Sequence, residues 1–266
     1  MNSITQSATP SYSASPYCLE ICVDSLQSAR AAKKGGADRI ELCSALSVGG
    51  LTPSIGLLQA VIQDTWSSGL PVYCMIRCRP GNFVFNDDEV NVMRNDIVEL
   101  RMRGARGFVF GALTPTGEVD IEVCETLLSA SAPLPATFHR GFDQLTDWRH
   151  GLDSIAELGF RTVLSSGLAQ TAEQGLQTLK LMSDYVRSTH QSLSIMPGSG
   201  INMTNLTKIV NETSCRAIHG SASKPINDTT RISNSISVGQ DDSHEIRVTC
   251  EETVRRMKCT LTKMLS

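Results

Sequence analysis

No apolar run in the sequence approaches the roughly 18 residues that a membrane-crossing helix needs. The opening Met1-Asn2-Ser3-Ile4 also lacks the basic and apolar stretches of a secretion signal. The expectation is a protein that stays in the cytosol. Strong charge of one sign is missing too: 24 Lys and Arg stand against 27 Asp and Glu, a formal net charge of −3. Without a polybasic field there is nothing to gather nucleic acid or anionic lipid, and small partners are the class left. Regular cysteine spacing is absent as well. The nine cysteines are an odd count scattered along the chain. Several fall inside apolar strand-like runs (Cys22, Cys74, Cys215), which fits free thiols in a reducing compartment rather than a disulfide framework.

What the sequence does contain is a cadence. After a Ser/Thr/Ala/Pro-rich stretch over residues 1–16, expected to be a disordered leader, short β-rich runs begin near Cys18, Arg39, Pro71, Arg106, Pro135, Arg161, Ser192 and Cys215. Amphipathic stretches separate them. Helix starts are marked by Thr52-Pro53 and by Asn86-Asp87-Asp88-Glu89, whose carboxylates complement the helix dipole. Glycines at 35–36, 104 and 159 close helices just before the next strand. Eight β-loop-α units of two to three dozen residues fill 17–266 and predict one α/β domain, a TIM (β/α)₈ barrel. An open doubly wound sheet would carry a Gly-rich dinucleotide turn after its first strand, and here that strand leaves as Cys22-Val23-Asp24-Ser25. A polar Asn/Ser/Asp-rich loop is expected from Ser221 to about Ser243, then a last helix over Glu245–Met264.

In such a barrel, inward residues at the C-terminal strand ends form the mouth, and residues two apart share a face. Glu20 with Cys22, and Glu41 with Cys43, repeat one Glu-x-Cys pattern on two neighbouring strands. If in register, Cys22 and Cys43 could share one soft ion, since adjacent strands lie about 4.8 Å apart. The competing reading is that buried cysteines act as small hydrophobes. Arg77 and His139 end the third and fifth strands. Arg77 either pairs with Glu20 or Glu41 or clamps an anion, and His139, titrating near neutrality, is a candidate acid or base. Ser166, Gly198, Gly200, His219 and Ser221 lie after strands six, seven and eight, where barrels often bind phosphate. The alternative is that tight turns simply need glycine.

Six segments in order carry a resemblance: Leu19–Ser25, Gly35–Cys43, Gly49–Ser54, Phe108–Leu113, Thr137–Arg140 and Met196–Gly198. Over about Cys18–Ser223 the chain resembles the CutC copper-homeostasis family. The resemblance implies a cytoplasmic TIM barrel, a homo-oligomer, that binds Cu(I) through the cysteines matching Cys22 and Cys43. Two positions depart from the family pattern: Cys78 stands where proline is common, and Ser199 stands within an otherwise all-glycine turn. Two functions remain open. One is copper binding and buffering without turnover. The other is an enzyme on a small anionic or phosphorylated metabolite, with Arg77 and the late loops as anion clamps and Glu20, Glu41 or His139 as acid and base.

Overall fold

The computed structural model describes residues 17–226 and 246–264; the 1–16 leader lies outside them. Eight strands run in parallel: β1 Cys18–Val23, β2 Arg39–Leu42, β3 Val72–Met75, β4 Gly107–Phe110, β5 Ala136–Phe138, β6 Thr162–Ser165, β7 Ser194–Pro197 and β8 Ala217–Gly220. Each begins within two residues of its expected start. Their order, β7-β6-β5-β4-β3-β2-β1-β8, puts β7 beside β8 and wraps the sheet into a barrel. Closure of this kind rules out the open doubly wound sheet.

The helices between the strands are α1 Leu26–Gly35, α2 Ile55–Thr65, α3 Asp87–Met102, α4 Ile121–Ser131, α5 Trp148–Leu158, α6 Leu176–Thr189, α7 Leu206–Thr213 and α8 Glu251–Lys263. Side-chain caps start several of them. Ser25 accepts from Ser28 N, Ser54 from Leu57 N and Asp120 from Val123 N, while Asn86 and Glu89 form a reciprocal capping box. Gly36 and Gly159 end α1 and α5 in the left-handed region, at φ 89° and 93°.

Strand parity divides the apolar side chains into two bodies. Leu19, Ile21, Val23, Ile40, Leu42, Phe108, Phe110 and Phe138 point outward and pack with Ala29, Leu58, Ile97 and Leu127 of the helices. Each such large side chain contributes about 1.5–3 kcal/mol when fully buried, so this outer layer dominates stability. Cys43, Met75 and Val109 form a separate small cluster inside the barrel. Leu164 and Met196 also face inward, and the rest of the interior is largely polar, which is where chemistry can sit.

The C-terminal region differs from expectation. Ser223–Pro225 (β9) pairs antiparallel with Arg247–Thr249 (β10), and α8 begins at Glu251 rather than near Glu245. Val248 and Thr249 of this segment are buried and β-branched, which favours a ladder over a helix there. The middle of the expected loop lies outside the described residues.

Candidate functional site

Register determines which inward residues meet. Across β1 and β2, Glu20 stands opposite Arg39 and Cys22 opposite Glu41; across β1 and β8, Glu20 stands opposite His219. The expected pairing of Cys22 with Cys43 in register is thus displaced by two residues, and Cys43 follows the end of β2, its N–H donating to Val23 O. One side of the interior is therefore built in levels. The first holds Arg39, Glu20 and His219, the next Cys22 and Glu41, and Cys43 lies beyond.

Glu20 is fully buried between two cations. It pairs with Arg39 and accepts a hydrogen bond from His219 Nδ1 at 2.8 Å. Burial alone would raise its pKa, but Arg39 and His219 outweigh that and lower it to about 2. Arg39 also lies over the Tyr73 ring, 4.4 Å from its centroid. His219 turns its other nitrogen, Nε2, toward Glu41 Oε2 at 3.7 Å. Burial opposes its protonation, but Glu41, Cys22 and Glu20 raise its pKa well above the usual imidazole value. Burial also raises Glu41, as does Glu20, and the charge of His219 works against both.

Among the described residues, Cys22 Sγ, one Glu41 oxygen and one His219 nitrogen lie within 4.8 Å of one another, all three residues being buried. Cys43 is a neighbour of this trio, its thiol donating to Glu41 Oε2 at 3.6 Å. Burial first, then Glu41, then Cys22, hold the Cys43 thiol well above its ordinary pKa. The loop over Cys43 explains the Gly49-Gly50 pair. Both have positive φ, and a Cβ on Gly50 would stand 3.1 Å from Cys43 Sγ.

Cys22, Glu41 and His219 line a mouth cavity of about 840 Å³, together with Arg77, His139, Arg140 and Asp143. Two expectations change here. Arg77 pairs with neither Glu20 nor Glu41: its terminal nitrogens donate to the carbonyls of Val48, Gly50 and Gly81, and its guanidinium lies over Phe83. It anchors two mouth loops and keeps its Nε without a partner among the described residues. His139 does not titrate near neutrality. Complete burial and then the charge of Arg77 lower its pKa to about 3. Its Nδ1 accepts from Gly141 N, so the neutral ring carries its proton on Nε2, which has no partner among the described residues.

Several of the late-loop residues expected to bind an anion are engaged by the chain itself. The loop after β6 already holds an anion of the chain's own. Asp143 accepts from Ser165 Oγ, Ser166 N, Ser166 Oγ, Leu168 N and Arg140 Nε. Ser166 is therefore committed to Asp143. His219 stands between two carboxylates, a setting that repels an incoming anion. Gly198 serves packing, since a Cβ there would approach Leu164 Cδ1 to 2.6 Å. Gly200 and Ser221 line the cavity, and Ser199 adopts φ 74°, the conformation that glycine favours.

Arg39 and Asp143 did not emerge from the sequence as site residues. For Arg39 the signal was present, since it shares parity with Glu41 and Cys43. Asp143 lies beyond β5, at the end of a short 3₁₀ turn over Arg140–Gln144, where strand parity gives no guidance.

The sequence model of the CutC family matches residues 17–224. A Caenorhabditis elegans protein described as a copper homeostasis protein cutC homolog is 40% identical over 243 residues, covering 91% of this chain and 94% of that one. A human protein of the same description is 44% identical over 209 residues, covering 79% of this chain and 74% of that one. The crystal structure of CutC from Streptococcus agalactiae superposes with a TM-score of 0.73 at 32% identity, covering 77% of this chain and 98% of the other.

Proposed function

This chain belongs to the CutC family, and on that premise we propose that it serves copper homeostasis by holding Cu(I) at the barrel mouth through Cys22 and Cys43. The observation that carries this reading is the shared interior position of the two thiols. They come from neighbouring strands, with the thioether of Met75 packed beside Cys43. Two buried sulfur donors favour a soft ion. Cu(I) would enter as cargo, displacing the thiol protons. Action in the cytoplasm and assembly into a homo-oligomer belong to the same reading.

The test is a Cu(I) titration against a competing chelator, with the parent protein beside Cys22→Ser and Cys43→Ser. Stoichiometric binding that weakens at least about 10-fold in each variant is the expected result. Affinity unchanged in the double variant defeats it.

A second reading is favoured by the size of the mouth. About 840 Å³ lined by Arg77 and His139 is in the range of small-molecule sites and far beyond what one ion requires. Under it the protein is an enzyme on a small anionic metabolite, with Arg77 and neutral His139 as donors to the anion. Thermal stabilisation by phosphate or by short phosphorylated metabolites, lost on Arg77→Met, would support this. A protein indifferent to all of them would not.

A further inference from the structure

We infer that Cys22, Glu41 and His219 form a three-donor site for a divalent ion of borderline softness, of the zinc class, with Glu20 as the outer group that orients His219. The inference does not require copper or Cys43 and shares only Cys22 with the proposal above.

Four observations meet here. The donors are one thiol, one carboxylate and one imidazole within 4.8 Å of one another, a mixed set that suits a borderline divalent ion better than Cu(I), which prefers sulfur. The His219–Glu41 spacing fits as well, and the 4.8 Å spread of the set needs to close by about 1 Å around an ion. Bonds of about 2.0–2.3 Å in tetrahedral geometry place neighbouring donors roughly 3.3–3.8 Å apart, and His219 Nε2 stands 3.7 Å from Glu41 Oε2.

The imidazole is also oriented as a ligand would be. Its Nδ1–H donates to Glu20, itself anchored by Arg39, so Nε2 is the nitrogen turned toward Cys22 and Glu41. A carboxylate holding the far nitrogen is the usual support of a metal-bound histidine. Finally, Glu41 is only 3% exposed, and its Oε1 has no hydrogen-bond partner among the described residues. A buried carboxylate oxygen left without a partner is costly, and an ion held by Oε1 beside Oε2 would satisfy it. Cys22, Glu41 and His219 all line the mouth cavity, so the fourth coordination position faces open space. Structural zinc sites instead close all four positions with protein.

The probe is Co(II), whose absorption reports both sulfur ligation and tetrahedral geometry, with Zn(II) as competitor. The parent protein should bind one Co(II) per chain with a thiolate charge-transfer band, and one equivalent of Zn(II) should abolish it. Cys22→Ser should remove the band. Glu41→Gln keeps the shape of a side chain whose Oε1 is already unpartnered, and should weaken Zn(II) by at least about 10-fold, as should His219→Ala. Glu20→Gln, acting only through His219, should weaken it roughly 10–100-fold while keeping the band at saturating Co(II). Cys43→Ser should leave the divalent site intact, although it removes a Cu(I) ligand of the earlier proposal.

Circular dichroism of each metal-free variant separates lost ligation from lost folding, and the folded Cys43→Ser and Glu41→Gln proteins decide the matter between them. Absence of stoichiometric Co(II) or Zn(II) binding in the parent overturns the inference. So does binding that survives Glu41→Gln but is lost on Cys43→Ser, which would make this the two-thiolate site alone.

Discussion

Asp143 is the most heavily hydrogen-bonded carboxylate of the mouth, and Asp143→Asn tests whether it is the resident anion of the loop after β6. Its Oδ1 accepts from Ser165 Oγ at 2.6 Å, Ser166 N at 3.1 Å and Leu168 N at 3.2 Å. Its Oδ2 accepts from Ser166 Oγ and Arg140 Nε, each at 2.9 Å, and shares the Ser166 N–H with Oδ1, at 3.1 Å. The amide must put its NH₂ in one of these places. At Oδ1 it would face two backbone N–H groups, which cannot turn away. It will therefore take the Oδ2 side, where Ser166 Oγ can rotate, Arg140, 40% exposed, can turn to water, and the shared Ser166 N–H can rest on Oδ1 alone. The loss is then the Arg140 pair, small because it is solvent-screened, plus the weakening of the remaining bonds, since hydrogen bonds to a charged group contribute about 1.5–3 kcal/mol against about 1 for neutral ones. The sum is about 2–3 kcal/mol, and at 2–4 °C per kcal/mol for a domain of this size the melting temperature should fall by roughly 4–12 °C. Asp143→Ala, which strands both N–H groups, should fall further and recover partly in formate, which can occupy the vacated cradle. A melting temperature within about 2 °C of the parent for both variants refutes the resident-anion reading.

His139 should make stability depend on pH. Its folded pKa, about 3, lies below the unfolded value of about 6.5, so the unfolded chain takes up a proton that the folded one refuses. The contribution is complete above pH 6.5 and is lost as pH falls toward 3, at up to about 1.4 kcal/mol per pH unit. Urea unfolding from pH 7 to 5 should show a shallower slope for His139→Gln than for the parent, and equal slopes would contradict the neutral assignment. Gly50→Ala should cost about 1–2 kcal/mol for its positive φ alone and should expose Cys43 to thiol reagents by lifting the loop above it; unchanged labelling would show that the loop is not the cover. At Gly175 an added Cβ would overlap Ser166 O and the backbone of Gly167. Gly175→Ala should therefore destabilise by more than about 4 kcal/mol, and a soluble variant with a melting temperature like the parent's would count against that packing.

The barrel was readable because its signals are local. Glycine at 35–36, 104 and 159, followed in each case by an apolar run, marks the end of a helix and the start of a strand without reference to the rest of the chain. The inward faces of the first two strands were local too, since Glu20, Cys22, Glu41 and Cys43 follow from alternation alone. What alternation does not contain is level. Height along the barrel axis comes from the stagger that eight strands adopt to close a ring, a property of the whole sheet. Level is what moved Cys22 from Cys43 to Glu41 and brought His219 from the last strand against Glu20 on the first, across 199 residues of sequence. Burial acted in the same non-local way on His139, since a histidine at a strand end reads as a titrating group until Phe83 and Arg77 are found against it. A Glu-x-Cys pattern on adjacent strands therefore identifies the wall of a site, and the strand that closes the ring decides which donors complete it. That is why His219 carries more of the interior's chemistry than its position just before a Gly-Ser turn would suggest.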